Sequence, residues 1–232
     1  MTGPDREAAE DALAGAYGKI SEVAGSLTEA SALLPSRCAG WTVLDVLYHQ
    51  LLDARRALVT FASPSPDPPD TDYVTYWRPY SPASGHPAAL GSSGAARHAR
   101  HVSIAASAYT PEMLASEWRE TSAAAIRAAQ ASPYQALATQ GHTLPTADFT
   151  ATLAVEAAIH YLDMTVALAA APEPDPASLA LVRQVLDQLA GSPLPASWDD
   201  ATCALKGTGR LPISPADRSA LGPAAAKLPL FG

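Results

Sequence analysis

The stretch "LAVEAAIHYLDMTVALA", residues 153 to 169, restricts the possible fold more than any other part of the chain. Val155, Ala157, Ala158, Ile159, Leu162 and Met164 make a helix that is apolar on most sides, and such a helix belongs inside a bundle rather than on a surface. Glu156 and His160 interrupt it. They lie four residues apart, one above the other on a single face, in a stripe with Leu153, Met164 and Ala167. An ionised carboxylate buried there without a partner costs on the order of several kcal/mol. A divalent cation is one partner that makes the arrangement favourable, because imidazole and carboxylate are ordinary ligands of zinc and its neighbours. The bland alternative is the commoner one for such a pair taken alone: a satisfied core histidine or a solvated contact.

A second helix changes that balance. "GWTVLDVLYHQLLDARRALVTFA" opens with Thr42 and Asp45 in capping-box spacing, with Trp41 just ahead as an apolar staple. Val43, Leu47, Leu51, Ala54 and Leu58 then follow helical spacing, and His49 lies beside that stripe between Val46 and Asp53. Should this helix face the first, His49, Glu156 and His160 form a set of two histidines and one carboxylate with coordination positions to spare. His49 alone also reads as a structural histidine.

The rest of the chain suits a helical bundle. Of its 232 residues, 48% are hydrophobic and 16% charged, enough for a sizeable core. The hydrophobic count leans on alanine, which favours helix over sheet. Helices are expected over about residues 5–30, 42–62, 95–108, 111–131, 147–170 and 177–189. "APEPDP", residues 171–176, marks a boundary between a bundle at 1–171 and a smaller C-terminal segment at 172–232. Within that segment "SWDDATCALKGTGRLPIS" mixes turn signals with Thr, Cys and Leu, and is expected to supply one or two strands of a small mixed α/β tail.

The formal charge of -8 argues against nucleic acid and anionic membranes as partners. The polar, acidic start shows no secretory signal, no segment reaches membrane-spanning length, and Cys38 and Cys203 have no ligand spacing. The expectation is a cytoplasmic protein with reduced thiols, monomeric or homodimeric.

Residues 63–90 form a long proline-rich stretch carrying Tyr73, Tyr76, Trp77 and Tyr80, which reads as a packed loop covering something rather than a linker. Arg78 sits among these aromatics. "ARHARH", with His98 and His101 on one helical face between arginines, reads as a solvated basic face. His86 and His142 are assigned no role, and neither cysteine has a base nearby in sequence.

"RCAGWTVLDVLYHQLLDARRAL", with its histidine eight residues after the Trp, resembles the first signature of the mycothiol-dependent maleylpyruvate isomerase family. "LAVEAAIHYLDMTVALA" is similar to the second, E-x-x-x-H-x-x-D. The resemblance covers about residues 5–170 and implies a mainly α, DinB-like four-helix bundle. It also implies a metal held by His49, Glu156 and His160, with zinc expected and nickel or iron suited to the same donors. Asp163 is then a carboxylate that orients a ligand histidine. Arg78 and Arg210 (in "GTGR") become candidate substrate-clamping arginines. The implied chemistry is a metal- and mycothiol-dependent isomerisation or S-transfer on a small electrophilic substrate, such as an unsaturated carboxylate. Two other classes remain open at this point: a thiol-independent metal hydrolase or biosynthetic enzyme, and a non-enzymatic thiol-stress or regulatory protein.

Overall fold

A computed structural model describes residues 3–85 and 93–232. Four helices close a ring: α1 (Arg6–Ala24) packs on α5 (Pro111–Ala131) and α6 (Thr146–Thr165), and α3 (Val43–Phe61) packs on the same two from the other side. The short α2 (Glu29–Ala32) precedes α3, and α4 (Ser93–Ala106) lies against α3. This is the mainly α, DinB-like bundle expected. Thr42 and Asp45 make the anticipated reciprocal cap, with Asp45 N–H donating to Thr42 Oγ1 at 3.2 Å and Thr42 N–H to Asp45 Oδ2 at 2.8 Å.

Helix α6 is the axle of the fold. Of its residues, Ala147, Leu153, Glu156, Leu162 and Thr165 are not fully buried, and all the others are. It touches α1 and α3 in the bundle and two helices of the C-terminal segment, α7 (Pro176–Ala190) and α8 (Asp200–Gly207). The apolar interior is continuous across residue 171: Leu179, Val182, Val185 and Leu186 of α7 join the same buried cluster as Leu13, Leu51 and Val155.

Two features depart from expectation in detail. The strands lie in a hairpin before α6, β1 (Ala136–Thr139) and β2 (His142–Pro145), with Leu137 paired to Leu144. Its two-residue turn, Gln140 at φ 49° and Gly141 at φ 84°, has the left-handed backbone that matches strand twist. The segment expected to hold strands instead forms α8 and turns, followed by α9 (Pro215–Leu221). Asp199 caps α8 by accepting from Thr202 N–H at 2.6 Å, and that cap starts a helix where composition was ambiguous.

The aromatic loop is packed, as read from sequence. It contains 3-10 turns at Thr75–Tyr80 and Pro82–Ser84, buries Tyr73, Val74 and Trp77, and stacks Trp77 on Phe231 from the C-terminal end at 4.6 Å. His86 falls outside the described residues.

Candidate metal centre

Helices α3 and α6 face each other where their polar positions coincide. His49 Nε2 lies 3.3 Å from Glu156 Oε1, and His160 Nε2 lies 3.2 Å from the same oxygen. The two imidazole rings stand nearly perpendicular, with centroids 4.7 Å apart. Three donor atoms from two helices thus converge within 4.8 Å of one another. A tetrahedral zinc site with bonds of about 2.0–2.1 Å has ligand-to-ligand edges of about 3.3 Å, so the donor spacing suits an ion of that size. The identity of the donors, imidazole and carboxylate, suits it as well.

The electrostatics favour positive charge at this point. Burial opposes ionisation of Glu156, yet hydrogen bonds and charge from His160 and His49 hold its carboxyl well below the usual carboxylate range. Burial likewise opposes protonation of His160, but Asp163, Cys38 and Glu156 push its pKa well above the ordinary histidine value. A field that draws protons onto a buried imidazole also draws in a divalent cation.

Behind His160 lies a second tier of contacts. Its Nδ1 is 2.9 Å from Asp163 Oδ2, which leaves Nε2 for the cleft. Asp163 is fully buried and is gripped by Arg210, with Nε to Oδ1 at 2.7 Å and Nη2 to Oδ2 at 2.9 Å. Local sequence explains how that arginine arrives. After α8, Gly209 takes φ 75° and turns the chain back, while Arg210 N–H donates to Leu205 O at 2.7 Å. A side chain at Gly209 would also meet Pro229 at 3.0 Å.

On the other side, Gly40 at φ 80° sits in a turn where Trp41 N–H donates to Cys38 O at 2.9 Å. This turn sends Cys38 and Trp41 to the site from one short segment. Cys38 Sγ donates to Asp163 Oδ2 at 3.3 Å and sits 3.7 Å from His160 Nδ1, and the Trp41 ring lies 5.3 Å from that of His49. Tyr76 and Tyr80 of the aromatic loop pack on each other and on Trp77, and their phenol pKa values are raised by burial first and also by the charges of Glu156 and Asp53.

Residues 13–165 match the family model of the mycothiol maleylpyruvate isomerase N-terminal domain. The chain belongs to that family. The match runs from α1 to the end of α6, so the maleylpyruvate isomerase-type domain contains His49, Glu156, His160 and Asp163, while Arg210 reaches in from beyond it. No curated protein and no solved structure matches the chain.

Within this family fold, His49, Glu156, His160, Asp163 and Arg210 come together, whereas Arg78 does not join them. Its side chain is exposed, on the side of the loop where its charge acts on Asp72, and no hydrogen bond or ion pair links it to the cluster. Arg56, exposed on α3, is an arginine whose charge acts on Asp53 and Tyr80.

Three neighbours escaped the sequence reading. His98 is solvent-exposed overall, but its ring lies 5.5 Å from that of His49 and 6.3 Å from that of Trp41, so this part of "ARHARH" borders the site instead of facing away. Cys38 lies 122 residues from His160 in the chain, a distance no local pattern bridges. Asp53, with Oδ2 3.3 Å from His49 Nε2, repeats the i,i+4 spacing that singled out Glu156 and His160, and was legible by the same rule.

Proposed function

We propose that this protein is a metal-dependent enzyme using a low-molecular-weight thiol, mycothiol, to isomerise a small unsaturated carboxylate or to transfer the thiol to an electrophile. One observation carries the reading: His49 Nε2 and His160 Nε2, from two helices, both lie within 3.3 Å of Glu156 Oε1 in a bundle with a large apolar core. Membership of the mycothiol maleylpyruvate isomerase family supports the thiol and the reaction class. Among the described residues no helix is long and apolar enough to cross a membrane, which fits a small-molecule substrate drawn from solution.

In this reading His49, Glu156 and His160 hold a divalent ion, with zinc preferred. Bound there, such an ion would supply a lowered pKa for a thiol and Lewis-acid polarisation of a substrate carbonyl. The protein does the remaining work. Asp163 accepts the Nδ1 proton of His160 and so fixes which ring nitrogen faces the cleft. Arg210 holds Asp163 in place, acting as a positioning residue rather than a substrate clamp. The Trp41 ring beside His49 covers one side of the site and limits water there, which strengthens the charge interactions around it. For isomerisation, a carbon–sulfur bond forms as the thiolate adds to the alkene and the π bond opens. Rotation about the resulting single bond, then loss of the same thiolate, restores the alkene in the other geometry.

The test is turnover of a cis-unsaturated keto-dicarboxylate by purified protein, with and without mycothiol and with and without a strong chelator. Turnover that needs both thiol and metal supports the proposal. Turnover that needs metal alone replaces it with a hydrolase or related thiol-independent enzyme. Metal binding without turnover on any electrophile moves the protein to the binding or regulatory class.

A further inference from the structure

We propose that Cys38 is a positioning residue of the metal centre, whose thiol locks the His160 imidazole along its Nδ1 edge while coordinating nothing itself. This rests on the metal reading above and gives a role to a residue that the mechanism so far leaves idle.

The sulfur closes a triangle. Cys38 Sγ donates to Asp163 Oδ2 at 3.3 Å and lies 3.7 Å from His160 Nδ1, and that nitrogen is 2.9 Å from the same Oδ2. A single partner at Nδ1 fixes one point of the ring, about which the imidazole can still tilt. A second contact on the same edge, brought by a different part of the chain, removes that freedom. The thiol steadies the carboxylate too. Oδ2 also meets Arg210 Nη2 at 2.9 Å, so residues 38 and 210 fix this oxygen from two separate segments. Nothing is left of the His160 ring to adjust except the Nε2 edge that faces Glu156.

The turn that delivers the thiol is itself fastened to α6. Arg37 N–H donates to Asp163 O at 3.1 Å, and Arg37 Nε donates to Leu162 O at 3.4 Å. Both carbonyls lie in the last turn of α6, where the helix supplies no donor for them. Within the turn, Ser36 Oγ accepts from Cys38 N–H at 3.1 Å and donates to Trp41 O at 2.8 Å. Metal ligands need their supporting groups held to within about 0.5 Å, and a side chain on so constrained a turn meets that demand. Cys38 is half-buried and in a loop, yet its sulfur is turned toward Asp163 and His160.

Three variants test this by competition for zinc against a chromophoric chelator and by the visible spectrum of the cobalt-substituted protein. Cys38→Ala and Cys38→Val both lose the donor, the second while filling the space, and Cys38→Ser keeps a donor. The folded Ala and Val variants are expected to bind zinc about tenfold more weakly, the lower end of what partners that support a ligand are worth, with an altered cobalt spectrum. Cys38→Ser should recover most of the affinity and the wild-type spectrum. Either of the first two variants decides the matter if the other does not fold. Wild-type affinity and spectrum in Cys38→Ala and Cys38→Val overturn the inference and leave the three-ligand reading standing. Loss in Cys38→Ala with none in Cys38→Val assigns the effect to packing volume and overturns it as well, as does a Cys38→Ser variant as weak as the other two. Failure of the wild-type protein to take up zinc or cobalt overturns both readings.

Discussion

Arg210 and Asp163 form a two-pronged ion pair, Nε to Oδ1 at 2.7 Å and Nη2 to Oδ2 at 2.9 Å, between a tail turn and a fully buried carboxylate near the end of α6. Burial opposes charge on Asp163, and His160 and Arg210 outweigh it, holding that carboxyl far below its ordinary value. The pair ties the C-terminal segment to the histidine that faces the cleft. It gives the bundle a reason to carry a tail.

Removing the arginine should therefore be expensive. Arg210→Ala leaves a charged carboxylate buried without its partner, and is expected to lower unfolding free energy by about 3 kcal/mol at neutral pH. Urea denaturation monitored by far-UV circular dichroism measures this. A loss below about 0.5 kcal/mol, the range of ordinary surface substitutions, would mean the pair does little to hold the tail.

The tail has a second anchor in the stack of Phe231 on Trp77. Both rings are almost fully buried. Phe231→Ala removes one face of that sandwich and should cost about 3 kcal/mol. Tryptophan emission from the folded variant should shift to the red as Trp77 gains solvent, and an unshifted spectrum would show that the loop closes over the gap.

Asp148, in the first turn of α6, offers a pH test remote from the cleft. Burial, with added repulsion from Asp72, pushes its carboxyl up to about 6. The unfolded value is about 3.9, so the folded protein holds an extra proton between roughly pH 4 and 6 and stability falls as pH rises through that window. Asp148→Asn removes the charge that burial penalises. It should stabilise the protein by about 1 to 2 kcal/mol at pH 7 and give no gain at pH 4. A gain of equal size at both values would assign the effect to packing.

Periodicity carried much of this architecture. The cap at Thr42 and Asp45, the polar stripe of Glu156 and His160 and the place of His49 are local patterns, and local patterns survive in a one-dimensional string. Asp53 is local too, but its single acid on a half-exposed face looks like ordinary solvation until His49 is known to turn inward. Cys38 and Arg210 reach the site through turns at Gly40 and Gly209, where a left-handed backbone angle decides the direction of the next side chain. No spacing rule predicts where such a turn aims. His98 illustrates the opposite failure. Flanking arginines made its helix face read as solvent-facing, yet one edge of that face meets the Trp41 and His49 rings. The β1–β2 hairpin has strands of four residues each, too short for alternation to show.

The central claim is that His49, Glu156 and His160 share one cation, and calorimetric titration of zinc into the chelator-treated protein tests it most directly. The account predicts one tight site per chain, weakened by about a hundredfold or more in His49→Ala, in Glu156→Gln and in His160→Ala alike, while each variant keeps its helical signal. Zinc binding that survives unchanged in the His49→Ala variant, or no binding to the wild-type protein at all, would contradict it.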